Sequence, residues 1–92
     1  MIKGIQGEFD FRGFKIYGAF AVIDTIQSSN ENCSASVNIY ASEQAFSDGE
    51  GYLKQIYPVQ FQKIIGDNVA DDQTQAYNFL KTTEEFKNWD FL

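Results

Sequence analysis

The sequence predicts an α+β domain: a small antiparallel β-meander of three or four strands, packed by one C-terminal α-helix and a short tail. Three observations carry this. From Glu8 to Ile65 apolar and polar residues alternate at short period, in segments separated by turn formers. After Gly66 the apolar spacing lengthens to that of a helix. The 92 residues contain no repeat, low-complexity run or linker, so they are expected to form a single domain over 1–92.

The first strand-rich segment is GEFDFRGFKIYGAFAVIDTIQ. Phe9 and Phe11 share one face, with Glu8, Asp10 and Arg12 on the other, and Gly13 interrupts. From Phe14 to Gln27 both faces are apolar: Phe20, Val22 and Ile26 on one, Ala19, Ala21 and Ile23 on the other. That pattern predicts a strand covered on both sides, with Asp24 as its exception. SSNEN then reads as a hairpin loop. CSASVNIYAS is the cleanest alternation in the chain. Cys33, Ala35, Val37, Ile39 and Ala41 point one way; Ser34, Ser36, Asn38, Tyr40 and Ser42 point the other. A half-buried strand with a small-residue inner face leaves room for the aromatics of a neighbour.

Glu43 to Phe46 can form one helical turn, and SDGEG is turn chemistry. YLKQIYPVQFQKII resumes as strand, with Tyr57, Val59 and Phe61 on one face. Pro58 cannot donate a ladder hydrogen bond, which predicts an edge strand or a bulge there. Gly66 stops the strand. A helix is expected over about 69–82, capped by Asp67 or Asn68, with Asp71 and Asp72 at the positive end of its dipole. Val69, Ala76, Tyr77, Phe79 and Leu80 would form its buried face. Residues 83–92 read as a short turn or helix and a tail. Thr82 and Glu85 fit a capping box that would re-aim Phe86 and Trp89.

Nine Phe, five Tyr and one Trp give this small chain much apolar area per residue, to fill a core or to line a partner surface. The net charge of −6 repels a phosphate backbone, so no direct nucleic-acid partner is expected. No run approaches the ~20 apolar residues of a membrane helix, so no membrane partner is expected either. The start MIKGIQGEFDF has no apolar stretch of signal-peptide length, and the product is expected to be cytosolic when made.

Candidate chemistry is sparse. One cysteine, Cys33, permits no intrachain disulfide, and it sits on the apolar face of the clearest strand as a core thiol. The absence of histidine removes the commonest general base and metal ligand. DNVADD reads as a helix start, and SDGEG lacks the acid that would close a calcium loop. Neither Glu84 and Glu85 nor Asp71 and Asp72 face one another at adjacent helical positions. GIQGEF and RGF lack the spacing of a phosphate loop. FRGFKIY, with Arg12 and Lys15 among aromatics, is a faint stacking platform for single strands. The expectation is a protein that is not an enzyme and holds no cofactor or metal.

Three stretches carry a family resemblance: YGAFAVIDTI; SASVNIYAS followed by EQAFSDGEG; and AYNFLKTTEEFKNW, which is similar to a recurrent Ala-Tyr-x-x-Leu-Lys-Thr…Glu-Phe pattern. On these the chain, from about 17 to 89, resembles small virion-associated structural proteins of tailed bacteriophages, encoded in the tail, baseplate and neck gene region. It departs from that pattern in carrying Thr83 where a proline often stands, which bears on where the helix breaks. The resemblance implies a tail, baseplate, fibre-attachment or neck component. Such a component would dock on other virion proteins, in several copies set by virion symmetry, and be present in the host cytoplasm during assembly. A capsid decoration protein is the second expectation, and a small acidic inhibitor or DNA mimic acting on a host protein the third. Phe86, Trp89, Phe91 and Leu92 exceed what one helix face buries. They are the candidate partner interface, expected to divide between packing on the sheet and contacting a partner.

Overall fold

One antiparallel sheet organises the computed structural model, which describes residues 2–92. Along the chain run β1 (Ile5–Phe11), β2 (Phe14–Ser28), β3 (Asn32–Tyr40), α1 (Glu43–Ser47), β4 (Lys54–Gln62), α2 (Asp72–Leu80) and β5 (Asp90–Phe91). Across the sheet the order is β4-β3-β2-β1-β5. The chain is therefore α+β, with two corrections to the expected inventory: the described residues form five strands rather than three or four, and two helices rather than one. The extra helix, α1, forms because Ser42 caps it, its Oγ accepting from the Ala45 amide at 3.0 Å. The extra strand, β5, is the tail itself, which lies antiparallel to β1 with Phe91 opposite Ile5 and Asp90 opposite Gln6.

Three irregularities re-phase the strands. Gly7 pairs with Ala19 but Phe9 with Ile16, so Tyr17 and Gly18 together oppose one residue of β1. Gly18 supplies the positive φ of 76° found at such bulges. Asp24 is the extra residue of β2 against β3. It moves Ile26 away from the side of Phe20 and Val22, where simple alternation placed it, and onto the core side with Ile23. On β4 the extra residue falls at Tyr57–Pro58: Val37 pairs with Ile56 and Ala35 with Val59. Tyr57 is thereby turned out to 63% exposure and does not share the face of Val59 and Phe61. Pro58 thus marks both an edge strand and a bulge.

The core lies on one side of the sheet. Ile5, Ala19, Ala21, Ile23, Cys33, Ala35, Val37, Ile39 and Phe61 face Ala76, Tyr77 and Leu80 of α2 and Phe86 and Trp89 of the tail. Small strand residues meet large covering ones, which lets the rings approach the sheet closely. At Gly7 the fit is so close that an added Cβ would stand 2.4 Å from Cγ of Trp89. On the opposite side Phe20 is buried beneath α1, its ring 5.5 Å from that of Phe46. Thr25 and Ser36 share a hydrogen bond there at 2.8 Å, and Gln55 donates to Asn38 Oδ1 at 2.8 Å. The polar face of β3 is thus also covered: Ser36 and Asn38 are buried.

α2 begins later than the apolar spacing implies. Asn68 sits at φ 63°, a left-handed conformation that a right-handed helix cannot include, so Val69 stays in the preceding loop, 41% exposed. The cap is Asp71, whose carboxylate accepts from the Thr74 amide at 2.7 Å. Hydrogen bonds from the Thr74 side chain and then its backbone hold the Asp71 carboxyl below the usual range. The loop is fixed by Gln75, which accepts from the Ile64 amide at 2.7 Å and donates to the Ile64 and Ala70 carbonyls at 3.1 and 2.8 Å. Nor does a capping box open a new helix at Thr82. The Thr82 and Thr83 hydroxyls turn back to the carbonyls of Phe79 and Leu80, at 2.6 and 2.7 Å, which also accept from the Thr82 and Thr83 amides. Tight turns then run from Thr83 to Phe86 and from Phe86 to Trp89, placing both rings on the core.

The Tyr77 hydroxyl reaches through the core to accept the Ile23 amide at 2.9 Å. Ile23 lies beyond the end of the β1 pairing, which stops at Ile5 opposite Ala21, so the hydroxyl stands where a strand carbonyl would otherwise accept. Burial pushes the phenol pKa above its ordinary 10.0, against the lowering effect of the Ile23 bond.

Trp89→Ala should destabilise the domain by about 3–5 kcal/mol. Gly7→Ala should cost about 1–3 kcal/mol by overpacking, and almost nothing in the Trp89→Ala background. Urea titrations of the four proteins of this cycle measure both; additive costs would show that Gly7 is not the seat of the ring. Tyr77→Phe leaves a buried amide unpaired and should cost about 1–3 kcal/mol at neutral pH. Because the folded-state pKa is raised, the wild type binds the phenolic proton more tightly when folded. Its stability is full below pH 10 and falls as pH rises through the folded value. The difference in stability between wild type and Tyr77→Phe should therefore shrink above about pH 10; a pH-independent difference would refute this.

Candidate functional site

The four residues named as a candidate interface divide between the core and the surface. Phe86 and Trp89 are 2% and 3% exposed, with their rings edge-to-face at 4.9 Å. They are core residues and are withdrawn from the candidate interface. The cause is β5: pairing with β1 fixes Asp90 and Phe91 in the sheet plane and carries the preceding ring inward over Gly7. Phe91 and Leu92 remain partly exposed, with Lys81 Nζ 5.5 Å from the centre of the Phe91 ring. They form a small edge, held by the Leu92 amide donating to the Gly4 carbonyl at 2.9 Å.

The most exposed rings lie at the other end of β1. Arg12 and Gly13 have φ values of 51° and 85°, and Phe11 pairs with Phe14. This is a two-residue hairpin turn in which both central residues adopt positive φ, matching the twist of the strands it joins. The hairpin forms an arm. β2 has fifteen residues, whose fourteen steps of ~3.3 Å would span about 46 Å if fully extended, comparable to the 41 Å long axis of the molecule. Its first residues therefore stand at one end of that axis. Phe14 and Tyr17 are both 74% exposed. Phe9 and Phe11 stack at 6.2 Å, half-buried, and the Arg12 guanidinium lies 5.2 Å from the centre of the Phe11 ring. Glu8 and Lys15 pair across the opposite face at 3.6 Å. The signal in the sequence was Gly13 flanked symmetrically by aromatics in FDFRGFKIY; it identifies a hairpin tip rather than a simple interruption.

Two other apolar areas lie elsewhere on the molecule. Phe46, Tyr40 and Tyr52 form an edge-to-face chain at 5.0 and 6.4 Å over the second face. A groove of about 240 Å³ between β4 and α2 is lined by Phe61, Ile64, Gln75 and Phe79, with Ile65 exposed nearby.

Reactive groups do not converge. Cys33 is buried, its thiol donating to Ser28 Oγ at 3.6 Å. Ser28 Oγ also accepts from Lys63 Nζ at 2.6 Å, but Lys63 is ion-paired with Asp72 at 3.7 Å. The ammonium thus straps β2, β4 and the start of α2 together. Among the described residues no group of three or more His, Cys, Asp or Glu is placed to hold a metal ion. No helix among them is long and apolar enough to cross a membrane.

Comparison of the chain with protein-family models, curated proteins and solved structures gives no match in any of the three.

Phe14→Ser and Tyr17→Ser should each leave stability within about 0.5 kcal/mol of wild type, as measured by thermal unfolding. A loss comparable to that of a core ring would show that the arm is part of the fold rather than a surface for something else.

Proposed function

We propose that the protein is a non-enzymatic structural component of a tailed-bacteriophage virion, in the tail, baseplate, fibre attachment or neck, and that it works by docking on larger virion proteins. The observation that carries the docking is the hairpin arm. Two exposed rings stand near the hairpin tip, Phe14 on the face of Phe9 and Phe11, and Tyr17 on the opposite face with Lys15. Aromatic and arginine side chains dominate the energetics of protein interfaces. Keeping such rings in water contributes nothing to folding, so their value lies in what they bury on contact. The virion assignment is supported by the three stretches that resemble small phage structural proteins. The buried tail contributes indirectly: by closing the sheet at one end of β1, it makes the arm a rigid extension of the core rather than a frayed terminus.

Mass spectrometry of gradient-purified particles of the phage that encodes the chain tests this directly. The protein should be a stoichiometric component, and the Phe14→Ser/Tyr17→Ser double variant should be depleted from particles by tenfold or more. Loss of each hot-spot ring costs ~2 kcal/mol, which alone exceeds a tenfold change in affinity. Absence of the wild-type chain from particles would overturn the proposal.

A further inference from the structure

We infer that the outer edge of β1 over residues 7–11 is a strand-addition site for an extended partner segment in which basic residues alternate with apolar ones. This rests on the reading of the arm as a docking surface, and adds the mode of docking and the chemistry of what docks.

The backbone is the first ground. β5 pairs with only Ile5 and Gln6. From Gly7 to Phe11, no backbone or side-chain hydrogen bond among the described residues reaches the side of β1 that faces away from β2. Alternate N–H and C=O groups of an antiparallel strand point to that side. The other edges of the sheet are blunted: β4 by the Tyr57–Pro58 bulge and a residue with no N–H, β5 by being two residues long. The stretch 7–11 is the edge left open.

The side chains define the occupant. Glu8 and Asp10 stand exposed on one face of this edge, and Phe9 and Phe11 are half-buried on the other. A second copy is disfavoured. Pairing two β1 edges antiparallel about Phe9 would set Glu8 beside the Asp10 of the other copy and gather four carboxylates on one face. A parallel pairing repeats the repulsion. Lys15 relieves it only in part: opposite Asp10 on β2 and 3.6 Å from Glu8, it offsets one of the two carboxylates in each copy. A strand carrying Lys or Arg at alternate positions would instead meet Glu8 and Asp10 with opposite charge, and its apolar residues would extend the Phe9–Phe11 stack. The net charge of −6 draws such a segment in from a distance.

The test is a titration of the full-length, nitrogen-15-labelled protein with two end-blocked hexapeptides, one alternating lysine and valine, the other glutamate and valine. The lysine peptide should bind saturably and slow hydrogen exchange at alternate amides within residues 7–11. The glutamate peptide should bind about tenfold more weakly or worse. The Glu8→Lys/Asp10→Lys variant, altered only at exposed positions, should reverse the preference. Binding that shifts Phe14 and Tyr17 without protecting those amides would overturn strand addition while leaving the arm a docking surface. Saturable binding of neither peptide, or a preference indifferent to the charge reversal, would overturn the inference as well. Concentration-dependent protection of 7–11 in the protein alone would replace the basic partner by a second copy. Failure of the docking reading itself is seen separately, as undiminished incorporation of the Phe14→Ser/Tyr17→Ser variant into particles.

Discussion

The seat of Trp89 on Gly7 is the contact on which the rest of this structure depends. A ring can lie flat against a sheet only where the strand beneath offers no side chain, and Gly7 is such a place. The same logic spreads outward. Ala19, Ala21 and Ala35 keep the centre of the sheet shallow, so that Tyr77, Leu80 and Phe86 settle beside the indole. A 92-residue chain buries a modest fraction of its surface, and large rings over small strand residues draw the most burial from few positions. The indole also fixes topology. With Trp89 held over Gly7, the next two residues have one place to go, alongside Ile5 and Gln6 as the fifth strand.

Much of this was legible in the sequence, and the failures share a cause. The alternation of Cys33, Ala35, Val37 and Ile39 contains no bulge, and it predicted the buried face of β3 correctly. Where a bulge inserts one residue, every later side chain changes sides. Ile26 follows Asp24 and Tyr57 adjoins Pro58, so both were assigned to the wrong face by counting in twos. Asp24 interrupting an apolar run and Pro58 inside a strand were visible signals; what they did to the register depended on the partner strand. The late start of α2 has a similar origin. Val69 has the right spacing for the helix face, but the left-handed backbone of Asn68 keeps it out.

The candidate surface was harder to read, because composition does not tell a ring that fills a core from one that awaits a partner. For Phe86 and Trp89 the sequence leaves core and surface open, and for Phe14 and Tyr17 it suggests a strand covered on both sides. The structure places the first pair in the core and the second at the surface. The tail gains burial from a non-local pairing with β1, more than 80 residues away, which no local pattern encodes. The arm loses it because its rings lie beyond the stretch of β2 that α2 and the tail cover.

These two placements are one arrangement seen from either end of β1. The line of β5, continued past Gln6, runs beside Gly7 to Phe11, and the chain leaves that line because Trp89 turns inward to its seat. Had the tail continued straight, it would have paired with the whole of β1 and closed the edge, with the indole left outside the core. The chain instead commits its one tryptophan to the core and leaves the remaining edge of β1 unpaired. A partner strand placed there would occupy the path that the tail abandons, lying in line with β5 and extending the sheet. The contact that holds the domain together is therefore also the one that leaves an edge of β1 unpaired.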